Sequence, residues 1–227
     1  MNIFKKKAEA TVTYNQQGVG DINVVTPHNY GWLEKRLAKE EMDYLWKCID
    51  NQKRGWKEFL AGNINESRLL VDTGDWFWNN TLLPLCTTYE NEFDNKLSII
   101  PINKHHPYML YQMWVNYQKQ HDFNPIHTHT GVYSFVIWMK IPTHFKQQYR
   151  TPASKGANMG CASDFHFCYL DIFGGQKQYR YSLEPAAEGY MLFFPAQLPH
   201  LVYPFYECEE DRISISGNII LDGSKVS

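Results

Sequence analysis

The chain has 227 residues, 44% of them apolar and 15% aromatic, with a formal charge of −2 at neutral pH. That is ample material for a core and too apolar for a disordered chain, and the length suits one domain. A near-neutral chain with no basic stripe gives no electrostatic case for nucleic acid or an anionic membrane, and no apolar run approaches the length of a membrane span.

Five cysteines (Cys48, Cys86, Cys161, Cys168, Cys208) are odd in number and lack any C-x-x-C spacing. That argues against a disulfide framework and against a thiolate zinc site. The start, Met1-Asn-Ile-Phe-Lys-Lys-Lys, is basic, but no apolar stretch follows, so it does not read as a secretory signal. Free thiols without an export signal point to a reducing, cytoplasmic setting.

Residues 1–28 are polar and contain turn formers, and they read as an extended arm or short strands. From Gly31 the period changes: Trp32, Leu33, Leu37, Met42, Leu45, Trp46 and Ile49 recur near a 3.6 spacing, with charged residues between them. The spacing predicts an amphipathic helix with one face packed on something flat. A second helical stretch is expected over 76–93, interrupted by Pro84. Residues 1–105 are thus an arm with supporting helices, and residues 106–221 form the core of a single domain.

From Pro107 onward, β-branched and aromatic runs alternate with turn residues. Strands are predicted at 108–117, 131–141, 166–173, 178–183, 191–195, 200–204 and 212–220, a succession that suggests a sandwich or barrel. The polar stretch 143–163, with Pro152, Gly156 and Gly160, reads as a long mobile loop, and such loops often serve as lids.

Within that region, Phe123-Asn-Pro-Ile-His127-Thr-His129-Thr-Gly131 places two histidines one residue apart. On a strand, residues i and i+2 share a face, so the two imidazoles would converge on one point, as a metal requires. His200 opens a later strand after the Pro195 and Pro199 turns. Arg212-Ile-Ser214-Ile-Ser216-Gly-Asn218 then puts Arg212, Ser214, Ser216 and Asn218 on one face and Ile213, Ile215 and Ile219 on the other. An ordinary half-solvated strand has the same alternation. Small hydroxyl and amide groups beside one arginine nevertheless suit a lumen lining better than a solvated face. Two ligands from one strand and a third from another give facial coordination with open positions, which suits iron(II), and an arginine can hold a carboxylate bidentately.

The order His-x-His, distal His, Arg-x-Ser resembles the iron(II)/2-oxoglutarate-dependent oxygenases. The similarity is greatest to their prolyl-hydroxylase-like branch, including versions carried by cyanophages. It is borne by Trp114-Val-Asn-Tyr117, Asn124-Pro-Ile-His127-Thr-His129-Thr-Gly131, Ser134-Phe-Val-Ile-Trp138, Leu192-Phe-Phe-Pro195, His200-Leu-Val-Tyr-Pro-Phe205 and Arg212-Ile-Ser-Ile-Ser-Gly-Asn218. These phrases fall within residues 108–221. The resemblance implies a mainly β fold, a double-stranded β-helix of the jelly-roll or cupin-like kind with the N-terminal helices packed on its major sheet. It implies Fe(II), 2-oxoglutarate and O₂ as cofactor and co-substrates, and hydroxylation of a C–H bond coupled to decarboxylation of 2-oxoglutarate. Carried over by position, His127 and His200 are metal ligands, and Arg212 and Ser214 bind the C5 carboxylate. Asn116 and Tyr117 are weaker candidates for lining the co-substrate pocket.

The departure is at position 129, where the family has a carboxylate and this chain has histidine. Three neutral imidazoles leave iron(II) at +2 rather than +1, and such a set also suits zinc. His129 is expected to be the third ligand, ahead of Asp122 and Asp164. Two other readings stay open: a cupin-like or three-His metal enzyme that does not use 2-oxoglutarate, and a non-catalytic β-barrel binding module. His105-His106 and His121 read as solvated. The substrate, a small molecule or a peptide, is not identified, and a homodimer is compatible with the sequence.

Overall fold

A computed structural model describes residues 30–93, 100, 104 and 106–225. The arm expected at 1–28 lies outside the described residues, as does His105.

Ten strands build two sheets. They are β1 (Leu33–Arg36), β2 (Glu66–Leu70), β3 (Tyr108–Gln118), β4 (Asn124–His127), β5 (Tyr133–Lys140), β6 (Phe165–Leu170), β7 (Gln176–Tyr181), β8 (Tyr190–Pro195), β9 (His200–Val202) and β10 (Arg212–Leu221). The larger sheet runs β1-β8-β5-β10-β3-β2 and the smaller β4-β9-β6-β7. Every pairing within them is antiparallel. From β3 to β10 the chain crosses between the sheets, returning within one sheet only at the β6–β7 hairpin. The central four strands of the larger sheet therefore face the four of the smaller one, which is a double-stranded β-helix. The predicted strands agree with the observed ones to within a few residues.

Two cores follow from the alternation along the strands. Val136, Trp138, Leu192 and Phe194 of the larger sheet meet Phe165 and Phe167 of the smaller one between the sheets. The opposite face, with Val115, Phe135, Ile137, Met191, Phe193, Ile215 and Ile219, is covered by α1 (Lys39–Asp50) and α2 (Leu83–Phe93) through Leu45, Ile49, Leu85 and Tyr89. At roughly 1.5–3 kcal/mol for each large apolar side chain withdrawn from water, this outer layer is a main source of stability. The helices thus pack on the larger sheet as expected.

Three expectations need correction. The first helix starts at Lys39 rather than Gly31, because Leu33–Arg36 pairs with Tyr190–Phe193 as an edge strand. Leu-Glu-Lys-Arg is a good local helix former, but sheet pairing overrides propensity. Helix α1 instead begins with one half of a capping box: Ala38 has no side-chain acceptor, but its N–H donates to Glu41 Oε2 at 2.7 Å. At the second helix, Trp78–Leu82 forms a π-helical turn, with Leu83 N–H reaching back to Trp78 O. Pro84, next in line, has no N–H to continue the i→i−4 ladder, so the wider turn absorbs the break.

The third correction concerns the stretch 143–163. It carries a short helix, α3 (Phe145–Gln148), and is pinned: Gln148 Nε2 donates to Tyr206 O, Tyr206 N–H donates to Gln148 Oε1, and Tyr149 Oη bonds Asp164 and Ser182. Thr151 and Ser154 are buried. The loop is anchored at the C-terminal end of its helix, and a long polar sequence alone did not reveal those anchors.

Candidate metal centre

Strand β4 ends at His127, directly opposite His200 on β9. Pro125, which has no N–H, sits in the irregular step between Asn124 and His127. The ring of His127 donates Nδ1–H to Pro125 O at 2.7 Å, and that of His200 to Leu198 O at 2.9 Å. Each bond goes to the carbonyl two residues back along the chain and fixes the tautomer with Nε2 bare and turned inward.

His129 lies beyond the end of β4, in the turn to β5, not on the strand as the i, i+2 argument assumed. It converges all the same. Its backbone N–H donates to Ala196 O at 2.8 Å, and its carbonyl accepts from Gln197 Nε2 at 3.0 Å. Gly131 makes that turn: its φ is +115°, and a Cβ there would lie 2.6 Å from Ile219 O. Only glycine fits both the left-handed backbone and the approach to β10.

The nitrogens of His127, His129 and His200 lie within 4.8 Å of one another, and this is the one such group of three His, Cys, Asp or Glu side chains found among the described residues. His129 Nε2 and His200 Nε2 are 3.1 Å apart. Two nitrogens at about 2.1 Å from one ion, at right angles, are separated by about 3.0 Å, so this pair already has the spacing of adjacent ligands. Burial lowers the pKa of all three: His129 is pushed down to about 3 by burial and by the neighbouring His127, and His200 lies well below the ordinary imidazole value. The donor set is therefore neutral imidazole, the form that binds a metal. Asp122 instead accepts from the backbone N–H of Asn65 and Lys119, and Asp164 pairs with Arg180. His121 packs against Tyr206, and His106 bonds Lys225 O.

The histidines open into a cavity of about 230 Å³ that also meets Asn116, Gln118, Arg212 and Ser214. Arg212 is 2% exposed, and burial pulls its pKa down to about 9, opposed only by Asp164 at a distance. It keeps its charge at neutral pH, yet each of its hydrogen-bond acceptors is neutral. Nε and Nη2 donate to Gln118 Oε1 (3.1 and 2.8 Å), Nη1 to Ser163 O and Oγ (2.7 and 3.1 Å), and Nη2 also to Tyr203 O (3.1 Å). The edge expected to clasp a carboxylate is thus held by an amide oxygen. Ser163 takes φ +72°, a strained backbone for a serine, in order to present both its oxygens. A buried cation met only by neutral acceptors favours an anion nearby.

Asn116 lines the cavity, with its Oδ1 held by Ser67 Oγ at 2.7 Å and Ser214 opposite on β10. Tyr117 does not. It faces the helices, where its hydroxyl donates to Gln52 Oε1, because inward residues on β3 are even-numbered: 112, 114, 116 and 118. Trp138 lines the cavity, whereas Tyr133 is buried in the outer core.

Sequence reading missed Gln118 and Ser163, whose roles depend on register and on a left-handed turn. It also missed a strap, residues 59–64, that closes one side of the cavity where 143–163 was expected. Asn63 pairs with Phe123 just ahead of the metal strand, and Gly62 lies so close to the Asn124 side chain that no Cβ fits. Nothing local in Gly62-Asn63 shows what this stretch closes.

With the geometry in place, likenesses can be stated. Residues 112–218 match the family model described as "Putative 2OG-Fe(II) oxygenase", over the stretch that carries the resemblance read from the sequence. Among curated proteins, none matches the sequence. Similar solved structures include a Pseudomonas putida prolyl-4-hydroxylase (TM-score 0.47, 13% identity, covering 86% of this chain and 94% of that one). Another is the viral collagen prolyl hydroxylase from Paramecium Bursaria Chlorella virus-1 in complex with 2-oxoglutarate (0.46, 12%, 83% and 94%). A third is HygX from Streptomyces hygroscopicus with nickel, 2-oxoglutarate and hygromycin B bound (0.45, 9%, 86% and 84%).

Proposed function

We propose that the protein is an iron(II)- and 2-oxoglutarate-dependent oxygenase that hydroxylates a C–H bond, in keeping with the family model that residues 112–218 match. The observation that carries the proposal is the pairing of a convergent three-imidazole group with a buried, uncompensated arginine in one cavity. The donor set fits a facially bound divalent ion, and His127, His129 and His200 would hold it. Iron(II) held there supplies the dioxygen chemistry that couples decarboxylation of 2-oxoglutarate, to succinate and CO₂, to hydroxylation.

The chain's own residues bind, orient and exclude. Pro125 O and Leu198 O keep two imidazoles in the ligating tautomer. Arg212, oriented by Gln118 and Ser163, supplies a fixed positive field for the distal carboxylate, with the Ser214 hydroxyl two residues on and the Asn116 amide across the strand pair. Phe165 and Phe194 pack on His200 at 5.5 and 5.0 Å and keep water from that side of the centre.

The test is anaerobic loading of the full chain with Fe(II) and 2-oxoglutarate. The expected result is a visible charge-transfer band and, on admitting air, succinate release. If metal binds but neither signal develops with Arg212 intact, the oxygenase reading fails and a three-His metal site without 2-oxoglutarate replaces it.

A further inference from the structure

The cavity extends past the histidines, away from Arg212. The ring of His129 packs 5.9 Å from that of Trp114, whose register partner on β10 is Ser216. Arg212 lies four residues from Ser216 toward one end, roughly 13 Å along the strand, and Asn218 lies two residues toward the other, roughly 7 Å. Gln112 on β3 is the register partner of Asn218, and both line the cavity with Thr130 and Ser216. Apart from the histidines and Arg212, no titratable side chain among the described residues is part of the lining.

Asn218 is 3% exposed, and its amide is oriented by Ser134, whose hydroxyl donates to Oδ1 at 2.6 Å. The Nδ2 edge is then left for the cavity. Among the described residues, no protein hydrogen bond reaches Asn218 Nδ2 or the Gln112 side-chain amide, and both are open to the cavity rather than sealed from it. A donor held in place at a cavity wall without a protein partner is met by water or by a ligand that displaces it.

We infer that Gln112 and Asn218 form the substrate subsite, and that the substrate places an uncharged carbonyl or carboxamide group there. The inference rests on the oxygenase reading, in which the Arg212 end of the cavity belongs to the co-substrate. Asn218 Nδ2 donates to the substrate's carbonyl oxygen, and Gln112 matches it as donor or acceptor. A carboxylate or ammonium group at this end would be desolvated with no opposite charge to meet it, so charged analogues are rejected.

The experiment uses the ¹⁵N-labelled full chain loaded with diamagnetic Zn(II) and 2-oxoglutarate, and follows the side-chain amide resonances of Asn218 and Gln112. The ligands are N-acetyl-leucinamide, its anionic counterpart N-acetyl-leucine and its cationic counterpart leucinamide. The neutral compound is expected to move both amide resonances at concentrations about tenfold or more below those needed for the charged pair. In Asn218→Asp, and in the half-buried Gln112→Glu, the preference should turn toward the cation. The inference is overturned if a charged compound is preferred in the unaltered protein, if the neutral one moves only resonances elsewhere, or if none of the three binds up to its solubility. The co-substrate assignment is read separately from the Arg212 Nε–H resonance. If 2-oxoglutarate leaves that resonance unmoved while the neutral preference holds, the oxygenase reading fails and the subsite stands.

Discussion

Buried imidazoles that stay neutral make folding depend on pH in a direction fixed by the structure. His129 has its pKa pushed down to about 3 in the folded chain, chiefly by burial, against an ordinary value of 6.5. Below pH 6.5 the unfolded chain binds a proton at this residue, and the folded chain does not until about pH 3. Stability is therefore intact above pH 6.5 and falls as pH falls through that window. At pH 5, one and a half pH units below the ordinary value, the loss from this residue alone is about 2 kcal/mol. His127 and His200 are shifted in the same direction, so the metal-free protein should lose more than that in total. Urea unfolding in the presence of EDTA at pH 7.5 and pH 5.0 measures the loss. His129→Gln, which removes the titrating ring but keeps a polar side chain of similar reach, should lose about 2 kcal/mol less than the unaltered chain between the two pH values. Equal losses would show that the His129 ring is open to protonation in the folded state, and the closed, neutral ligand pocket described above would be wrong.

Arg212→Met should weaken 2-oxoglutarate binding about tenfold to a hundredfold, the scale of a lost charge-assisted contact, while leaving the metal content unchanged; equilibrium dialysis of each ligand checks both. Gln118→Leu takes away the acceptor of Arg212 Nε and one of the two acceptors of Nη2. It should cost about 1–3 kcal/mol in urea unfolding. Gly131→Ala forces a side chain into a φ of +115° with its Cβ 2.6 Å from Ile219 O. It should lower stability by about 1–3 kcal/mol and weaken metal binding by moving His129, both readable from a melting curve with and without metal.

The β-helix was legible because its strands alternate cleanly and turn residues separate them. Arg212 to Asn218 reads as one polar and one apolar face, and in the structure those faces are the cavity wall and the bed for the helices. The three histidines and Arg212 were legible by type and order. What escaped was whatever depends on partners distant in sequence. Leu33–Arg36 becomes a strand only because Tyr190–Phe193 offers an edge. Tyr117 and Asn116 are adjacent in sequence, and only the strand's phase, set by the packing of both faces, decides which one enters the cavity. The strap at 59–64 takes its place through Asn63 pairing with Phe123, a contact with no local pattern.

His129 in place of a carboxylate changes how the ligands must depend on one another. Among the described residues no Asp or Glu lines the cavity, and Arg212 already adds one positive charge to it. A divalent ion on three neutral imidazoles keeps its full charge, so metal and arginine together set three positive charges in a confined space. Metal binding alone works against that field. A dianion such as 2-oxoglutarate, reaching both centres, relieves it. The two ligands should therefore bind with positive coupling, and linkage requires the effect to be reciprocal: the factor by which 2-oxoglutarate tightens the metal equals the factor by which the metal tightens 2-oxoglutarate. Titrating Zn(II) with and without saturating 2-oxoglutarate, and the reverse, measures each side of that equality. Succinate, a dianion that lacks the 2-oxo group and so has only a carboxylate to offer the metal, should show weaker coupling. If 2-oxoglutarate leaves the metal affinity unchanged, the anion does not occupy the space between His129 and Arg212, and the charge argument for the cavity fails with it.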